Sequence, residues 1–447
     1  MNGADAATAR LFARQRFGAR PGLDTMRALL ERLGRPDRTF DAVLVAGTNG
    51  KGSTAAGLAS MLRASGRRVG RYASPHLTWP GERVEVDGVP MADAAFEDAA
   101  ATILPHAEAT HATFFEALTA LACRRFAEAG VEIAVLEVGL GGRLDATNAL
   151  DPVASAIASI GLDHQAILGD TLAEIAREKA GVLRAGRPTW TSARGEARAA
   201  IEAEAARLGA RLSVLGRDAR VAVRERGWEG VEVTVERSGA PGVSFASSLA
   251  GRHQGENLAL AALLAGEVGV SDAAVERGAA RVSWPGRAET VQAVAPGLER
   301  MRIVLDGAHN PAAAAALAAL LDAVGGRPET VLGVGRDKDV GGILGALAPR
   351  LGGVQVTRAR HSPRALPPSE LAAHAAAHGL HVAGVHDDPA AAVRAAAAAA
   401  RGGGPSGGGR SDARSEPTVL VAGSLYLIGE VRPWLLGRSA PAWERWQ

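Results

Sequence analysis

From residue 41 onward, short apolar runs alternate with stretches of helical period. Residues 42–47, 68–73, 131–138 and 153–160 read as strands. Between or after them, residues 53–64, 113–129 and 171–183 place apolar side chains at helical spacing, with Asp170 or Thr171 as a cap for the last. This order predicts a parallel sheet with helices on both faces. Residues 82–91 alternate apolar and polar around an Asp-Gly pair, the pattern of a hairpin.

Residues 211–249 change character. Val221-Ala-Val-Arg, Val231-Glu-Val-Thr-Val and Val243-Ser-Phe are short and alternating, which predicts a small antiparallel subsheet, followed by a helix over 256–266. Trp284-Pro-Gly-Arg287 punctuates the chain, and the domain boundary is placed just after it. A second α/β unit follows. It has strands at 303–306, 330–335, 353–357 and 418–422, and an alanine-rich helix at 311–324 with proline near its first turn. The expected architecture is α/β throughout. Residues 1–288 form a mostly parallel sheet with the antiparallel subsheet, and 289–447 a smaller Rossmann-like domain. Residues 402–416 are rich in Gly, Ser and Arg and read as a flexible surface loop, dispensable for stability.

Composition narrows the function. A chain of 447 residues exceeds one ordinary core. Net charge is +2, the arginines are interspersed with acids, and aromatic residues make up 4%, so a nucleic-acid surface is not expected. Cys123, the single cysteine, cannot form an intramolecular disulfide, which suits a reducing compartment. With no signal-like segment and no apolar run of membrane-spanning length, a soluble, cytoplasmic monomer is expected.

Lysine and arginine together number 50, yet only Lys51, Lys179 and Lys338 are lysine. A surface charge can be either residue. A site that needs a compact ammonium or a reactive amine cannot accept a guanidinium. Lys51 lies in Gly47-Thr-Asn-Gly-Lys-Gly-Ser53, between a predicted strand and a predicted helix. Glycines let backbone N–H groups face a phosphate, and the helix N-terminus adds favourable charge. Lys51 would reach the β/γ-phosphates and Ser53 would ligate Mg²⁺. Gly52 separates Lys51 from the hydroxyl residue, unlike the common phosphate loop, which disfavours the usual GTPases and nucleotide kinases. Glu137 ends a predicted strand, where a carboxylate could hold Mg²⁺, polarise water or simply cap the loop. His164 follows the next strand. Alone it reads as a loop residue as readily as a ligand, since Mg²⁺ favours oxygen. Ser74, in Ser74-Pro-His-Leu77, alone reads as a turn residue.

Taken together these segments resemble the folylpolyglutamate synthase and dihydrofolate synthase family of Mur-type ligases. The resemblance runs from about Gly22 to Gly429. It rests on Gly47–Ser53, Ser74-Pro-His-Leu77, Thr113-Phe-Phe-Glu116, residues 137–148, Leu162-Asp-His164, Arg177-Glu-Lys-Ala-Gly181, His253-Gln254 with Asn257, Pro285-Gly-Arg287, Asp306-Gly-Ala-His-Asn-Pro311 and Asp337-Lys-Asp339. It implies an ATP-dependent ligase that joins a pteroyl or folyl carboxylate to L-glutamate through an acyl phosphate. Gly50, Lys51, Gly52 and Ser53 would cradle the triphosphate. Asn257, Arg287 and Asp306 would contact ATP from two sides of an interdomain cleft. Two Mg²⁺ ions would sit at Ser53 with Ser74 and at Glu137 with His164. Lys179 would be carbamylated, which arginine could not replace. Thr113, Phe114, Phe115 and Glu116 would line the pterin pocket, with Leu144 and Asp145 as further substrate residues; Phe115 could equally be core. His309 would be catalytic, facing glutamate or phosphate, with Lys338 and Ser424 on that surface. Gly22-Leu-Asp-Thr25 resembles the dihydropteroate-contacting segment of bifunctional bacterial members, so dihydropteroate and reduced folate are both expected substrates.

Two alternatives stay open. Another Mur-type amino-acid ligase, acting on peptidoglycan precursors, would use the same chemistry, but the phosphate loop begins only at residue 47, without a leading uridine-nucleotide domain. A nucleotide-binding regulatory module would need the loop alone, and the motifs at Glu137 and Lys179 argue against it.

Overall fold

Alternate residues of β1 (Asp41–Ala46) enter different cores: Ala42, Leu44 and Ala46 pack into one cluster, Val43 and Val45 into another. A strand buried on both faces belongs inside a parallel sheet covered by helices. The computed structural model describes residues 5–18, 22–237, 242–402 and 416–438. Among them, the first sheet comprises β1, β2 (Val69–Tyr72), β3 (Val84–Val86), β4 (Val89–Pro90), β5 (Ile133–Glu137), β6 (Pro152–Ile157), β7 (Pro188–Thr191) and β8 (Arg211–Val214). Its order is β4-β3-β2-β5-β1-β6-β7-β8. Strands β2, β5, β1, β6, β7 and β8 run parallel, and the β3–β4 hairpin, turning at Asp87-Gly88, adds antiparallel to β2.

Strands β9 (Ala219–Glu225), β10 (Val231–Arg237) and β11 (Val243–Ser247) form the expected antiparallel subsheet. Arg211–Val214 lies outside it. That segment pairs parallel with β7 and edges the large sheet, because it follows the helix Gly195–Leu208 as a right-handed crossover requires. The next helix begins at Arg252, four residues ahead of expectation, after Gly251 with φ +98° breaks the chain's course. Helix Asp93–Ala109 is not announced by the apolar pattern, since its alanines blur the stripe and Pro105 sits inside it.

The last sheet orders β12 (Glu289–Val291), β13 (Arg302–Asp306), β17 (Thr418–Ala422), β14 (Glu329–Leu332), β15 (Val354–Val356) and β16 (Val382–Val385). All pairs are parallel except β12 with β13. Its two faces have their own cores: Val304 packs into one and Ile303 and Leu305 into the other. Helix Pro311–Val324 matches its expected bounds, with the Asn310 side chain accepting from the N–H of Ala313 and proline in the first turn. Most of 402–416 lies outside the described residues. Among the described residues no helix is long and apolar enough to cross a membrane.

Candidate active site

The C-terminal ends of β1, β2, β5 and β6 meet at one edge of the first sheet, and those of β13 and β17 belong to the second. A cleft of about 430 Å³ lies between them. In open α/β sheets this edge is where ligands bind.

β1 runs into Gly47, with φ +145°, where a Cβ would come 2.9 Å from that of Ala158. Gly50, with φ +84°, precedes helix Lys51–Ala64, and a Cβ there would lie 2.3 Å from Oδ1 of Asn257. Glycine is needed at both points to bring backbone close to its neighbours. The ammonium of Lys51 donates to the carbonyls of Gly47 and Thr48, both at 3.1 Å. Lys179, buried near the end of helix Leu172–Ala180, donates to the same Gly47 carbonyl at 2.9 Å. Burial, reinforced by the charge of Lys51, lowers the Lys179 amine to about 7.

Glu137 ends β5 opposite Val45 and is buried. Burial raises its carboxyl above the usual range, against the pull of Lys51. It accepts from the N–H of Ser74 at 3.3 Å and forms no ion pair among the described residues. Ser53, buried in the first helical turn, and Ser74 add hydroxyls, and His164 adds a half-exposed imidazole. Partial burial, with Lys338, Lys51 and Lys179 nearby, outweighs Asp163 and holds His164 below its ordinary value. No three His, Cys, Asp or Glu side chains gather as a metal cage among the described residues. One buried carboxylate without a cation, two hydroxyls and one imidazole fit Mg²⁺ completed by phosphate and water oxygens.

The second sheet supplies Arg287, Asp306 and His309. Asp306 ends β13 and accepts from the N–H groups of Ala288 and Ala308, each at 2.8 Å. Burial raises its carboxyl despite Arg287, and burial lowers Arg287 despite Asp306. His309 binds the Gly307 carbonyl through Nδ1 at 2.8 Å, and burial lowers it to about 4, so its ring is neutral at pH 7. Asn310 joins the two halves: it donates to Asn49 Oδ1 and Asp163 Oδ2, both at 3.1 Å. Lys338 lies 3.6 Å from Asp163. Burial raises Asp163, but Lys338, His164 and Asn310 outweigh it and hold the carboxylate below its usual value.

Gly50, Lys51, Gly52, Ser53, Ser74, Glu137, His164, Lys179, Asn257, Arg287, Asp306 and His309 all line this cleft. A second cavity of about 960 Å³ adjoins it. Thr113, Phe114, Phe115, Glu116, Leu144 and Asp145 line that one, with Gly22 at its border. The two spaces share Pro75, Gly139, Leu140 and Leu168. Phe114 packs against Phe12 with ring centroids 4.7 Å apart and planes tilted by 52°, and Phe115 leans on Tyr72 at 5.8 Å.

Several of these residues have structural duties. Thr113 and Glu116 form a reciprocal capping box: the N–H of Thr113 donates to Oε2 of Glu116 at 2.7 Å, and that of Glu116 to Oγ1 of Thr113 at 3.3 Å. Thr113→Ala is expected to destabilise the fold by about 1 kcal/mol, read as a lower urea midpoint at unchanged slope. Asp145 accepts from the N–H groups of Leu140 at 2.9 Å and Thr147 at 3.0 Å, so its carboxylate holds the loop. Ser424 lines neither cavity; its hydroxyl oxygen caps helix Leu425–Leu435 by accepting from Tyr426 N–H at 3.2 Å.

Arg83 and Tyr426 line the larger cavity and Asp163, held by Asn310, lines the cleft; none of the four was singled out as a site residue. Arg83 is buried, donates to Nδ1 of His76 at 2.8 Å and has Cζ 5.4 Å from the centre of the Phe114 ring. In sequence it is one arginine among many beside a hairpin.

Residues 45–265 match the Mur ligase middle domain, and 286–425 the Mur ligase glutamate ligase domain. The chain is 40% identical over 439 residues to a probable bifunctional folylpolyglutamate synthase/dihydropteroate synthase of Haloferax volcanii, covering 94% of this chain and 49% of that protein. It thus spans about half the length of that relative. It is 39% identical over 315 residues to the dihydrofolate synthase/folylpolyglutamate synthase of Bacillus subtilis, covering 67% of this chain and 72% of that one. The Mycobacterium tuberculosis folylpolyglutamate synthase complexed with ADP and AMPPCP superposes with a TM-score of 0.85 at 32% identity, covering 98% of this chain and 100% of that one.

Proposed function

Because the chain belongs to the folylpolyglutamate synthase/dihydrofolate synthase family of Mur ligases, we propose that it joins a pteroyl or folyl carboxylate to L-glutamate at the expense of ATP. The observation that carries this reading is one continuous space. A phosphate loop, a carboxylate and a buried lysine face Arg287 and Asp306 across a cleft that opens into an aromatic-lined cavity.

A carboxylate is a poor acylating agent, so ATP's γ-phosphoryl group is transferred to it first. The glutamate amine then attacks the acyl carbon, the amide forms and phosphate leaves. Backbone N–H groups of Gly50–Ser53 and the Lys51 ammonium hold the phosphates. Asn257, Arg287 and Asp306 hold the nucleotide between the two halves. The pterin end occupies the larger cavity, against Phe114 and Phe115, and its carboxylate reaches the cleft past Pro75 and Leu168. Ser53 with Ser74, and Glu137 with His164, would hold Mg²⁺, which would supply positive charge where phosphate oxygens crowd. Lys179, as its carbamate, would add an oxygen-bearing anion to the cleft that Glu137 also lines. His309, neutral and next to the junction of the two sheets, faces the incoming amino acid. Closure of the cleft aligns amine and acyl phosphate and excludes water. On this reading residues 1–288 carry ATP and the acid, 289–447 complete the ATP and glutamate sites, and the enzyme works as a cytoplasmic monomer.

Gly22 at the border of the larger cavity favours action on dihydropteroate as well as on reduced folate. Steady-state assays with each acid, glutamate and ATP test both activities. ATP turnover is expected to require acid and glutamate together. Turnover independent of either would leave a nucleotide-binding module in place of a ligase.

A further inference from the structure

A tryptophan from the turn between the two sheets rests on the phosphate loop. Gly52, the residue that sets this loop apart from the common pattern, lies directly beneath it. A Cβ built on Gly52 would come 2.5 Å from Cζ2 of Trp284, 2.8 Å from Cε2 and 2.9 Å from Nε1. Packed interiors do not tolerate such approaches, so any side chain at 52 must displace the indole or the loop. Arg71 stacks on the same ring, with Cζ 4.5 Å from its centre, and is itself held by Glu85 through Nε at 3.0 Å. The indole Nε1 is buried and has no hydrogen-bond partner among the described residues. Stacking and shape therefore seat the ring.

The chain continues from Trp284 through Gly286 into β12 of the second sheet at Glu289, five residues on. Gly286 accepts from the N–H of Gly307 at 2.9 Å and from Nη1 of Arg287 at 3.1 Å, and its own N–H donates to Glu289 at 2.9 Å. Gly307 directly follows Asp306 at the end of β13. A contiguous path thus runs from the loop through Gly52, Trp284 and Gly286 to the strand end that carries Asp306.

We propose that Gly52 and Trp284 are a matched pair, with Trp284 a positioning residue. It fixes the phosphate loop and couples nucleotide at that loop to the turn bearing Arg287. The extra glycine exists, on this view, to receive the indole. The proposal rests on the nucleotide-binding reading of the loop and adds what sets its geometry. Ordinary core packing of Trp284 would predict lower stability on substitution and no reciprocal rescue.

The test is a double-substitution cycle. Gly52→Ala is expected to lower kcat/KM for ATP by roughly 100-fold, the scale of a misplacement on the order of 1 Å. Trp284→Leu removes the ring atoms in conflict, so the double variant is expected to be more active than Gly52→Ala alone. Trp284→Phe keeps a ring on the loop while removing the indole fluorophore. Adding a non-hydrolysable ATP analogue should change the emission of the parent protein, and much less that of Trp284→Phe. Gly52→Ala with parental ATP affinity overturns the pairing. So does a double variant no more active than Gly52→Ala, or an emission change undiminished in Trp284→Phe. If Lys51→Ala also binds ATP normally, the loop reading itself fails; if only the pair behaves additively, this inference fails alone.

Discussion

Lys51→Ala is expected to bring ATP-dependent amide formation down by about 10²–10³-fold or more in kcat, with the fold intact. The side chain is only partly buried and its ammonium is bound to two loop carbonyls, Gly47 and Thr48. Those bonds hold the ammonium over the loop and contribute little packing. On the proposed reading, a triphosphate in the cleft would bring its crowded oxygens to this ammonium. It also repels Lys179 and pulls on Glu137, so its loss changes both neighbours. Lys51→Arg is expected to fail as well, since a planar fork cannot replace a compact point charge in a loop this tight. Thermal melting should place Lys51→Ala close to the parent, and calorimetry should show weakened ATP binding. A folded Lys51→Ala protein with parental turnover would remove the phosphate loop from the mechanism.

Residues whose chemistry cannot be exchanged were legible from the chain alone. In an arginine-rich composition, Lys51 and Lys179 stand out before any fold is known, and the fold puts both on one carbonyl. The strand-loop-helix around Gly47–Ser53 is local, and its period shows it. Helix Pro311–Val324 is bounded correctly because its cap and proline are adjacent in sequence. What stayed hidden depends on contacts across the chain. Arg83 matters through Phe114 and His76, and Asp163 through Asn310 and Lys338 of the other half. Leu168 divides two cavities that no motif announces. The motif at Thr113-Phe-Phe-Glu116 was visible, but its polar ends are engaged with each other as a capping box, which leaves the aromatic pair to face the cavity. Ser424 shows the reverse: a residue suggested by resemblance that here caps a helix.

Lys179→Ala is expected to lose turnover on the same scale as Lys51→Ala, and its rescue should separate chemistry from packing. Burial, then the charge of Lys51, lowers the amine to about 7, so roughly half of it is neutral at pH 7. A neutral amine can add CO₂: nitrogen bonds to carbon, one proton leaves, and the product is an anion with two oxygens. An ammonium cannot do this, and neither can a guanidinium. The anion then lies in the cleft that also holds Glu137, where a divalent cation would be shared by oxygens. ¹³C-bicarbonate should give a carbamate carbon signal in the parent protein and none in Lys179→Ala. Short-chain carboxylic acids should partly restore activity to Lys179→Ala by supplying the missing oxygens, whereas Lys179→Met should gain nothing from them because its side chain fills the space. Parent enzyme stripped of CO₂ should slow and recover when bicarbonate is returned. Full activity in CO₂-free buffer, with no carbamate signal, would leave Lys179 as a buried amine that holds the Gly47 carbonyl and nothing more.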